Sequence, residues 1–335
     1  MSDNPVVVDT EQCLAISGIL PGLLIRPEFL VRPFLNYPLE KETRLRMLFY
    51  SVAVCHQTRS LKSDKHKLFG WDYIEKVFLE LAIGNSMLLH AELLNSADTE
   101  IIAQHLQVAF SDDGNILHST IDRVNERANL MKELSSFVQN RFGGSFSSLI
   151  KEVNGKLISY GKGFYETLGQ TAAFSDPMRK KSSFLAKLLI DSKLFAISDR
   201  ENYFPIMDYH MQRVLLRLGC VKVMDNELAI NLRNRVPVTS DLAIRSACIE
   251  AMQVLIFNSG IEPWIMNDIF WSLGRSCCNE TTLCTDKHCM KEPCTFQSII
   301  QVNDHKNCSF EATCKGFRHD ETRYLWEPMV ETHFY

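Results

Sequence analysis

Residues 274–314 read GRSCCNETTLCTDKHCMKEPCTFQSIIQVNDHKNCSFEATC, and this stretch holds seven of the eleven cysteines in the 335-residue chain. These seven are Cys277, Cys278, Cys284, Cys289, Cys294, Cys308 and Cys314. A disulfide framework would spread its cysteines along the whole chain. Thiolates gathered in one segment are instead typical of a zinc or iron–sulfur centre, and ligand softness does not separate these two. The stretch therefore predicts a metal centre, in which some cysteines are spectators because one centre takes four ligands.

The remaining composition is that of an ordinary globular protein. Hydrophobic residues make up 46% of the chain and charged residues 23%, so a substantial core can form. Glycine and proline are sparse, at 15 and 11 residues, which favours helices with short connections over a β sandwich. The four other cysteines lie in apolar surroundings and are expected to be buried small hydrophobes. They are Cys13, Cys55, Cys220 and Cys248.

The sequence predicts neither a leader peptide nor a membrane span. The first residues, MSDNPVVVDTEQ, lack a basic segment followed by an apolar one, so no signal peptide is expected. No uninterrupted apolar run approaches the roughly 18 residues of a transmembrane helix. We therefore expect an intracellular protein, cytoplasmic or nuclear, without membrane contact.

The charge balance gives no general reason to bind nucleic acid, because the formal net charge is −4. Any such contact would need a local basic patch. Residues 179–181 (RKK) and the arginines between Arg213 and Arg217 could form one. The alternative interpretation of each run is a solvated helix face.

Apolar residues recur with helical period along most of the chain, which predicts an all-α protein with about ten helices. The first residues, up to about 20, are expected as an arm or short helix, and Asp98 is a plausible helix cap. No sustained strand alternation is present. The periodic segments are 41–58, 71–82, 97–106, 119–141, 146–157, 177–195, 206–219, 239–258 and 263–273.

Two positions outside the cysteine segment carry candidate chemistry. Asp208 begins a predicted helix just after Pro205, where the helix dipole favours an ionised carboxylate. Its alternative role is an ordinary helix cap. Lys181 lies on a predicted helix with an apolar face at positions 184, 185, 188 and 189. If its stem packs there, desolvation lowers the pKa of the amine and makes it a nucleophile, whereas the alternative is a solvated surface lysine.

The order of these features resembles the helix-hairpin-helix DNA glycosylase superfamily, in particular its endonuclease III-like branch with an iron–sulfur cluster loop. Residues 207–214 (MDYHMQRV) are similar to the segment that carries the catalytic aspartate in that branch. Residues 274–278 (GRSCC) match its Gly-Arg-x-x-Cys motif, which implies Cys278 as the first cluster ligand. Its last two ligands have the spacing of Cys308 and Cys314.

The lysine segment departs from that branch, because no Leu-Pro-Gly-Val-Gly hairpin precedes it. Residues 181–187 (KSSFLAK) instead resemble the Schiff-base lysine segment of archaeal 8-oxoguanine DNA glycosylases, with Lys180 as the alternative nucleophile. That family has an N-terminal glutamine that reads the base, and Gln57 in CHQTRSL is similar to it. The next helix of the family contains a tryptophan, and the predicted helix that begins at Trp71 is similar to that helix. The late acidic residue and tryptophan of the family have counterparts in Asp268 (or Asn267) and Trp271.

The resemblance implies a two-lobed, helix-hairpin-helix glycosylase-like bundle with a C-terminal iron–sulfur cluster loop. The implied regions are an N-terminal helical part at 1–170, a catalytic part at 171–275 and the cluster loop and tail at 276–335. A 4Fe–4S cluster is expected, with zinc as the less favoured metal. Its implied ligands are Cys278, Cys294, Cys308 and Cys314, with Cys284 and Cys289 as alternatives.

The implied function is base-excision repair by a monomer that acts on double-stranded DNA with a damaged base, such as 8-oxoguanine. Lys181 and Asp208 are then catalytic, with a possible Schiff-base lyase step, and four residues recognise the base. These four are Gln57, Trp71, Asp268 and Trp271. The cluster loop would present Lys287, Lys291, Lys306, Lys315 and Arg318 to phosphates.

Two other functions stay open at this point. One is an N-glycosidase of a modified free nucleotide, similar to queuosine-salvage enzymes, which suits the sequence pI of about 6.2. Such an enzyme needs an aspartate but neither a Schiff-base lysine nor a cluster. The other is a non-catalytic nucleic-acid-binding module in which Asp208 is only a helix cap.

Overall fold

The computed structural model describes residues 5–289, 291–302 and 305–335. Helices account for 56% of the chain, and the strands within the described residues are short and form no closed sheet. These features confirm the predicted all-α class. The more specific glycosylase-like architecture stays a prediction.

The helices differ widely in length, from single turns to 19 residues. In chain order they are α1 (Thr10–Ser17), α2 (Pro33–Asn36), α3 (Lys41–Ala53), α4 (Trp71–Ile83), α5 (Ala91–Ser96), α6 (Thr99–Ala109), α7 (Val124–Phe142), α8 (Phe146–Val153), α9 (Phe164–Leu168), α10 (Lys180–Asp191), α11 (Tyr209–Leu218), α12 (Asn226–Arg233), α13 (Leu242–Ser259), α14 (Pro263–Arg275), α15 (Leu283–Asp286), α16 (Thr295–Ile299), α17 (Lys315–Arg318) and α18 (Asp320–Arg323). The strands are β1 (Val6–Val8), β2 (Leu24–Ile25), β3 (Lys62–Ser63), β4 (Leu68–Phe69), β5 (Val221–Val223) and β6 (Ile300–Gln301).

Two helices begin later than their periodicity predicts, and an aspartate accepts backbone N–H groups at or just before the start of each. The carboxylate of Asp176 accepts hydrogen bonds from the backbone N–H groups of Met178 and Lys180, both at 3.0 Å. This holds a turn, so that α10 begins at Lys180 rather than at Pro177. Likewise, Asp208 is the N-cap of α11 and accepts from the Met211 N–H at 3.0 Å.

The short strands were not predicted, since two or three residues cannot show an alternating pattern. The pairing of β1 with β5 has the largest effect on the topology. It is antiparallel, with Val6 opposite Val223 and Val8 opposite Val221. It fixes the start of the described chain beside the end of α11.

The chain folds into two compact units, each built from segments that are distant in sequence. The C-terminal unit contains Met1–Leu30 and Pro205–Glu331, and the central unit contains Val31–Phe204 and Thr332–Tyr335. This division differs from the sequential boundaries predicted at 170 and 275. The physical reason is the β1–β5 pairing together with the packing of α1 against α13, which bring the N-terminal segment into the C-terminal unit.

In the C-terminal unit, α11 packs against α13 and α14 and is buried along its length. Every residue from Met211 to Leu218 is buried, including Arg213 and Arg217. These arginines therefore do not form the surface patch that the sequence suggested. Helix α14 can approach the start of α11 closely because position 274 is glycine. A Cβ there would lie 2.6 Å from the carbonyl oxygen of His210 and 3.0 Å from Cγ2 of Val214.

In the central unit, α3 packs against α4, α7, α8 and α10. Aromatic contacts fill this core, with the rings of Phe49 and Phe146 centred 4.6 Å apart. The lysines of α10 are also inside it, since Lys181 is fully buried and Lys187 pairs with Asp191 at 2.5 Å. The alternative of a solvated surface lysine is therefore wrong for Lys181.

Two other expectations concern the scattered cysteines and membrane-spanning helices. The four scattered cysteines are all buried and unbonded, as predicted. Within the part of the chain that the structure describes, no helix has both the length and the apolar character needed to cross a membrane.

The close approach at Gly274 gives a first prediction. Gly274→Ala should destabilise the protein by about 1–3 kcal/mol, because the added methyl group overlaps the His210 carbonyl. Alanine is the better helix former, so any loss must come from this overlap. Urea unfolding measures the change, and Gly22→Ala is the matched control because a Cβ there meets nothing within 4 Å. Equal stability of Gly274→Ala and the wild type would contradict the close approach.

Candidate functional site

The segment after α14 folds into turns, the short helices α15 and α16 and a strand that pairs with β2. All seven of its cysteines are free thiols. Cys277 and Cys294 are buried, at 3% and 6% exposure, and the other five are partly exposed. Seven free thiols in one segment form a potential ligand set for metal.

Four side chains converge most tightly, and we name them the compact set: Cys277, Cys289, Cys294 and His305. Their ligand atoms all lie within 4.8 Å of one another. The Sγ atoms of Cys277 and Cys294 are 3.5 Å apart, and Cys277 Sγ lies 3.9 Å from Nε2 of His305. The compact set could therefore hold a metal ion.

The other four cysteines interact with one another, and we name them the wide set: Cys278, Cys284, Cys308 and Cys314. The pKa of the Cys314 thiol is raised to about 12, first by burial and then by the neighbouring thiols of Cys278 and Cys284. Burial and the same neighbours also raise the pKa of Cys308. Among the described residues, no three of these sulfurs lie within 4.8 Å of one another. The wide set is thus more open than the compact set.

The two sets divide the predicted ligands differently from the sequence analysis. The thiols of Cys278 and Cys314 act on the pKa of Cys308, and so does Cys284, one of the two alternatives, whereas Cys294 is not among the main causes of this pKa shift. Cys294 lies in the compact set with Cys289. Spacing along the chain could not reveal this division, because it depends on how the turns fold. A histidine inside the cysteine segment, His305, was the available signal for a second set.

Arg217 connects α11 to the cysteine segment. Its guanidinium donates to the Asn279 carbonyl at 2.7 Å and lies 3.9 Å from the Sγ of Cys278. Its Nε also donates to the carbonyl of Leu325 at 2.9 Å. The helix that begins at Asp208 therefore orients the first cysteine of the wide set.

Arg213 makes a second, denser connection from the same helix. Its guanidinium donates to Glu327 Oε2 and to the Gly274 carbonyl, both at 2.6 Å. It also donates to the Cys278 carbonyl at 3.2 Å, and one of its nitrogens lies 3.0 Å from Nδ1 of His210. Since only 2% of the side chain is exposed, these contacts are all formed away from solvent.

The other predicted site residues of the C-terminal unit lie on α11 and α14. Asp208 is 7% exposed and sits at the positive end of the α11 dipole. Asp268 is buried, and the Asn267 amide donates to it at 3.4 Å. Trp271 is partly exposed, with the guanidinium of Arg275 4.9 Å from its ring centre. Their roles in catalysis and base recognition stay predictions.

Lys181, in the central unit, has a fully buried amine. Its Nζ donates to the Ala53 carbonyl at 2.6 Å and lies 3.3 Å from Nδ1 of His56. The pKa of this amine is lowered to about 7, chiefly by burial; the charges of Lys180 and Arg127 act in the same direction, and Cys55 opposes them. The desolvation that was predicted for Lys181 is therefore present.

The surroundings of the Lys181 amine also include His56 and, beyond it, Glu126. The sequence analysis missed both residues. His56 Nε2 lies 3.1 Å from a carboxylate oxygen of Glu126. Burial, followed by the charges of Lys181 and Arg127, holds the pKa of His56 far below its usual range, so the ring is neutral. The imidazole therefore stands between a carboxylate and an amine. The only sequence signal was the position of His56 beside Gln57.

Gln57 and Trp71 make firm contacts within the central unit. Gln57 has a left-handed backbone (φ 44°), and its Oε1 accepts from Arg123 at 2.7 Å. Trp71 donates from Nε1 to Glu75 at 2.7 Å, and its ring makes an edge contact with Phe184, with ring centres 4.7 Å apart. Base recognition by these two residues stays a prediction.

Among the described residues, several cations of the expected basic patches are buried or paired with another group. Lys180 is buried, with its amine 3.8 Å from Cys55 Sγ and 5.2 Å from the Phe184 ring centre. In the cysteine segment, Lys287 pairs with Glu311 at 3.2 Å, and Lys315 pairs with Asp9. The cations that were expected to meet phosphates are thus buried or paired at these positions.

Comparison with known proteins adds no relative: neither the protein-family models nor the curated proteins include a match to this chain. The family resemblance therefore rests on the residues quoted above.

The buried contacts of Arg213 give a prediction on stability. Arg213→Met should lower the free energy of unfolding by about 3–5 kcal/mol, because it leaves the Glu327 carboxylate buried without its cation. Arg235→Met is the matched control, since Arg235 also contacts the Trp326 ring but is 44% exposed on its side chain. The control should lose at most about 1 kcal/mol. Similar losses in both variants, measured by urea unfolding, would show that the Arg213 contacts do not carry the stability.

The lowered pKa of Lys181 gives a prediction on pH. Between pH 7 and the unfolded pKa of 10.5, the unfolded chain binds one proton more at this site, so stability rises with pH. The free energy of unfolding of the wild type should therefore rise by about 1 kcal/mol per pH unit relative to Lys181→Met, over roughly pH 7.5 to 9. Lys181→Met should also be the more stable protein near neutral pH. Parallel pH profiles of the two proteins would rule out a buried amine of lowered pKa.

Proposed function

We propose that this protein removes a damaged base from double-stranded DNA by cleaving its N-glycosidic bond, with the amine of Lys181 as nucleophile. Asp208 stabilises the positive charge that develops on the sugar. The lesion is an oxidised purine such as 8-oxoguanine. The enzyme is a monomer of the helix-hairpin-helix glycosylase type, and a Schiff-base step allows strand cleavage after base removal.

One observation carries this proposal: the Lys181 amine is buried among uncharged hydrogen-bond partners. Neither the Ala53 carbonyl nor the neutral His56 ring carries the negative charge that would offset the burial of an ammonium group. A pKa of about 7 leaves a large fraction of this amine unprotonated at neutral pH. An unprotonated amine has the lone pair that a nucleophile needs, whereas a surface lysine does not.

The chemistry follows from these groups. The amine nitrogen forms a bond to C1′ of the flipped nucleotide, and the C1′–N bond breaks with its electron pair on the departing base. The nitrogen loses one proton, which the departing base takes up, while Nδ1 of the neutral His56 ring, 3.3 Å from the amine, accepts a hydrogen bond from it and orients its lone pair. Opening of the sugar ring then gives the Schiff base, from which the 3′ phosphate can be eliminated.

The reaction requires the amine to become accessible. Residues 332–335 pack beside this site, because the Tyr335 carbonyl accepts from the Gln57 N–H at 3.0 Å and the Thr332 carbonyl accepts from Arg123 at 3.0 Å. Displacement of this short segment would break these two contacts and loosen the surroundings of His56 and Lys181.

We assign a 4Fe–4S cluster to the wide set. Two observations support this assignment: the four thiols lie near enough to shift the pKa of Cys308 and Cys314, and no three of their sulfurs lie within 4.8 Å of one another, as the ligands of a single ion would. Bound there, the cluster would cross-link the turns of the cysteine segment, without redox chemistry in base removal. Arg217 would orient Cys278 as a ligand.

Trapping with sodium borohydride tests the nucleophile. The purified protein is incubated with duplexes that contain 8-oxoguanine or an abasic site, and a covalent protein–DNA band is expected. Lys181→Ala should abolish the band, and Lys180→Ala should keep it, because the Lys180 amine faces Cys55 and Phe184 instead. Asp208→Asn should slow base release at least tenfold. A band that persists in Lys181→Ala and disappears in Lys180→Ala would reassign the nucleophile, and no band on either duplex would overturn the proposal.

A second candidate is an N-glycosidase of a modified free nucleotide. It is favoured by the burial or pairing of the cations that would otherwise meet a DNA backbone, such as Lys180, Lys287 and Lys315. Base release from a modified nucleoside monophosphate should then depend on Asp208 and survive Lys181→Ala. Release from duplex DNA alone would exclude this candidate.

A further inference from the structure

We propose that the compact set, Cys277, Cys289, Cys294 and His305, binds one zinc ion in a centre separate from the iron–sulfur cluster. The protein would then carry two metal centres side by side in its cysteine segment. This proposal concerns metal binding alone and does not rest on the catalytic proposal.

The distances within the compact set fit a single ion. Tetrahedral zinc with Zn–S bonds of about 2.3 Å places its sulfur ligands about 3.8 Å apart. The observed separations are 3.5 Å between the sulfurs of Cys277 and Cys294, and 3.9 Å from Cys277 to the His305 nitrogen. A four-iron cluster is larger than one ion and needs ligands that stand farther apart, so it does not fit here.

The ligand types also favour zinc. Three thiolates with one imidazole are a common closed ligand set of structural zinc, and they complete its four-coordinate shell. Softer metals would be satisfied by thiolates alone. A disulfide would join only two of the three cysteines. It would not account for the third thiol and the imidazole at the same place.

The surrounding structure orients these ligands. Cys277 follows the end of α14 and Cys294 is the N-cap residue of α16, so both positions are fixed by helix ends. Between them, the Ser276 hydroxyl lies 3.4 Å from Cys294 Sγ and 3.7 Å from Cys277 Sγ. That hydroxyl is itself held, because it donates to the Ser272 carbonyl at 2.8 Å and accepts from the Phe296 N–H at 3.1 Å. Metal ligands commonly have such supporting hydrogen bonds.

The two centres together account for the whole cysteine segment. Cys277 and Cys278 are adjacent in sequence, yet one belongs to the compact set and the other to the wide set. Each set has four members, and no cysteine of the segment is left over. The expectation that some of the seven are spectators followed from assuming one centre. Zinc would fix Cys289, Cys294 and His305 against Cys277, which follows the end of α14.

Elemental analysis of protein purified with both metals supplied tests the proposal. We expect about one zinc ion per chain together with about four iron atoms. Cys289→Ser and His305→Ala should lose the zinc and keep the iron, whereas Cys284→Ser should lose the iron and keep the zinc. His288→Ala is the matched control, an exposed histidine of the same segment that should keep both metals.

X-ray absorption at the zinc edge tests the wild-type protein directly, without a variant that could misfold. Three sulfurs and one nitrogen around zinc support the compact set, and His305→Cys should keep the zinc with four sulfurs. A third result would be two zinc ions per chain and no iron, with His305 bound to one zinc. That result would support zinc at the compact set and would contradict an iron–sulfur cluster at the wide set. Zinc that is absent under reducing conditions, or surrounded by four sulfurs in the wild type, would overturn the proposal. None of these measurements depends on base excision.

Discussion

The C-terminal unit depends on one buried cation, the guanidinium of Arg213. A charge taken out of water is costly unless its hydrogen-bonding groups are satisfied. Here the guanidinium reaches the end of α14 at Gly274, the turn at Cys278 and the carboxylate of Glu327. These partners come from three separate parts of the sequence. The cost of burying Arg213 is offset only when all three are in place, so the site can form only in the folded unit.

The buried amine of Lys181 has different surroundings from the Arg213 guanidinium. Its hydrogen-bond partners are a carbonyl and a neutral imidazole, and Glu126 faces the far side of that ring rather than the amine. Without a direct carboxylate partner, burial favours the neutral amine, and the pKa falls. Arg213 cannot respond in this way because a guanidinium does not lose its proton in proteins. The same cost of burying a charge is therefore met at Arg213 by hydrogen bonds to distant segments and at Lys181 by a lowered pKa of the amine.

The two cysteine sets differ in ligand spacing, a property that distinguishes candidate metals where ligand type alone does not. Thiolates suit both zinc and iron–sulfur clusters, but one ion draws its ligands closer together than four irons do. The compact set also includes an imidazole, His305, which the wide set lacks. Arg217, from the helix that begins at Asp208, contacts the wide set at Cys278. A displacement of Cys278 would therefore alter a contact of the helix that Asp208 caps.

The sequence by itself determined the all-α class, the helices that begin at Trp71 and Pro263 and the concentration of ligands after residue 276. Each of these follows from local periodicity or from residue type, which short-range physics fixes. Only the tertiary structure decided that Cys284 joins Cys278, that His56 meets Lys181 and that the arginines of α11 are buried. Those outcomes depend on which distant segments pack together. Burial and charge pairing are properties of the folded surroundings, and no single segment contains them.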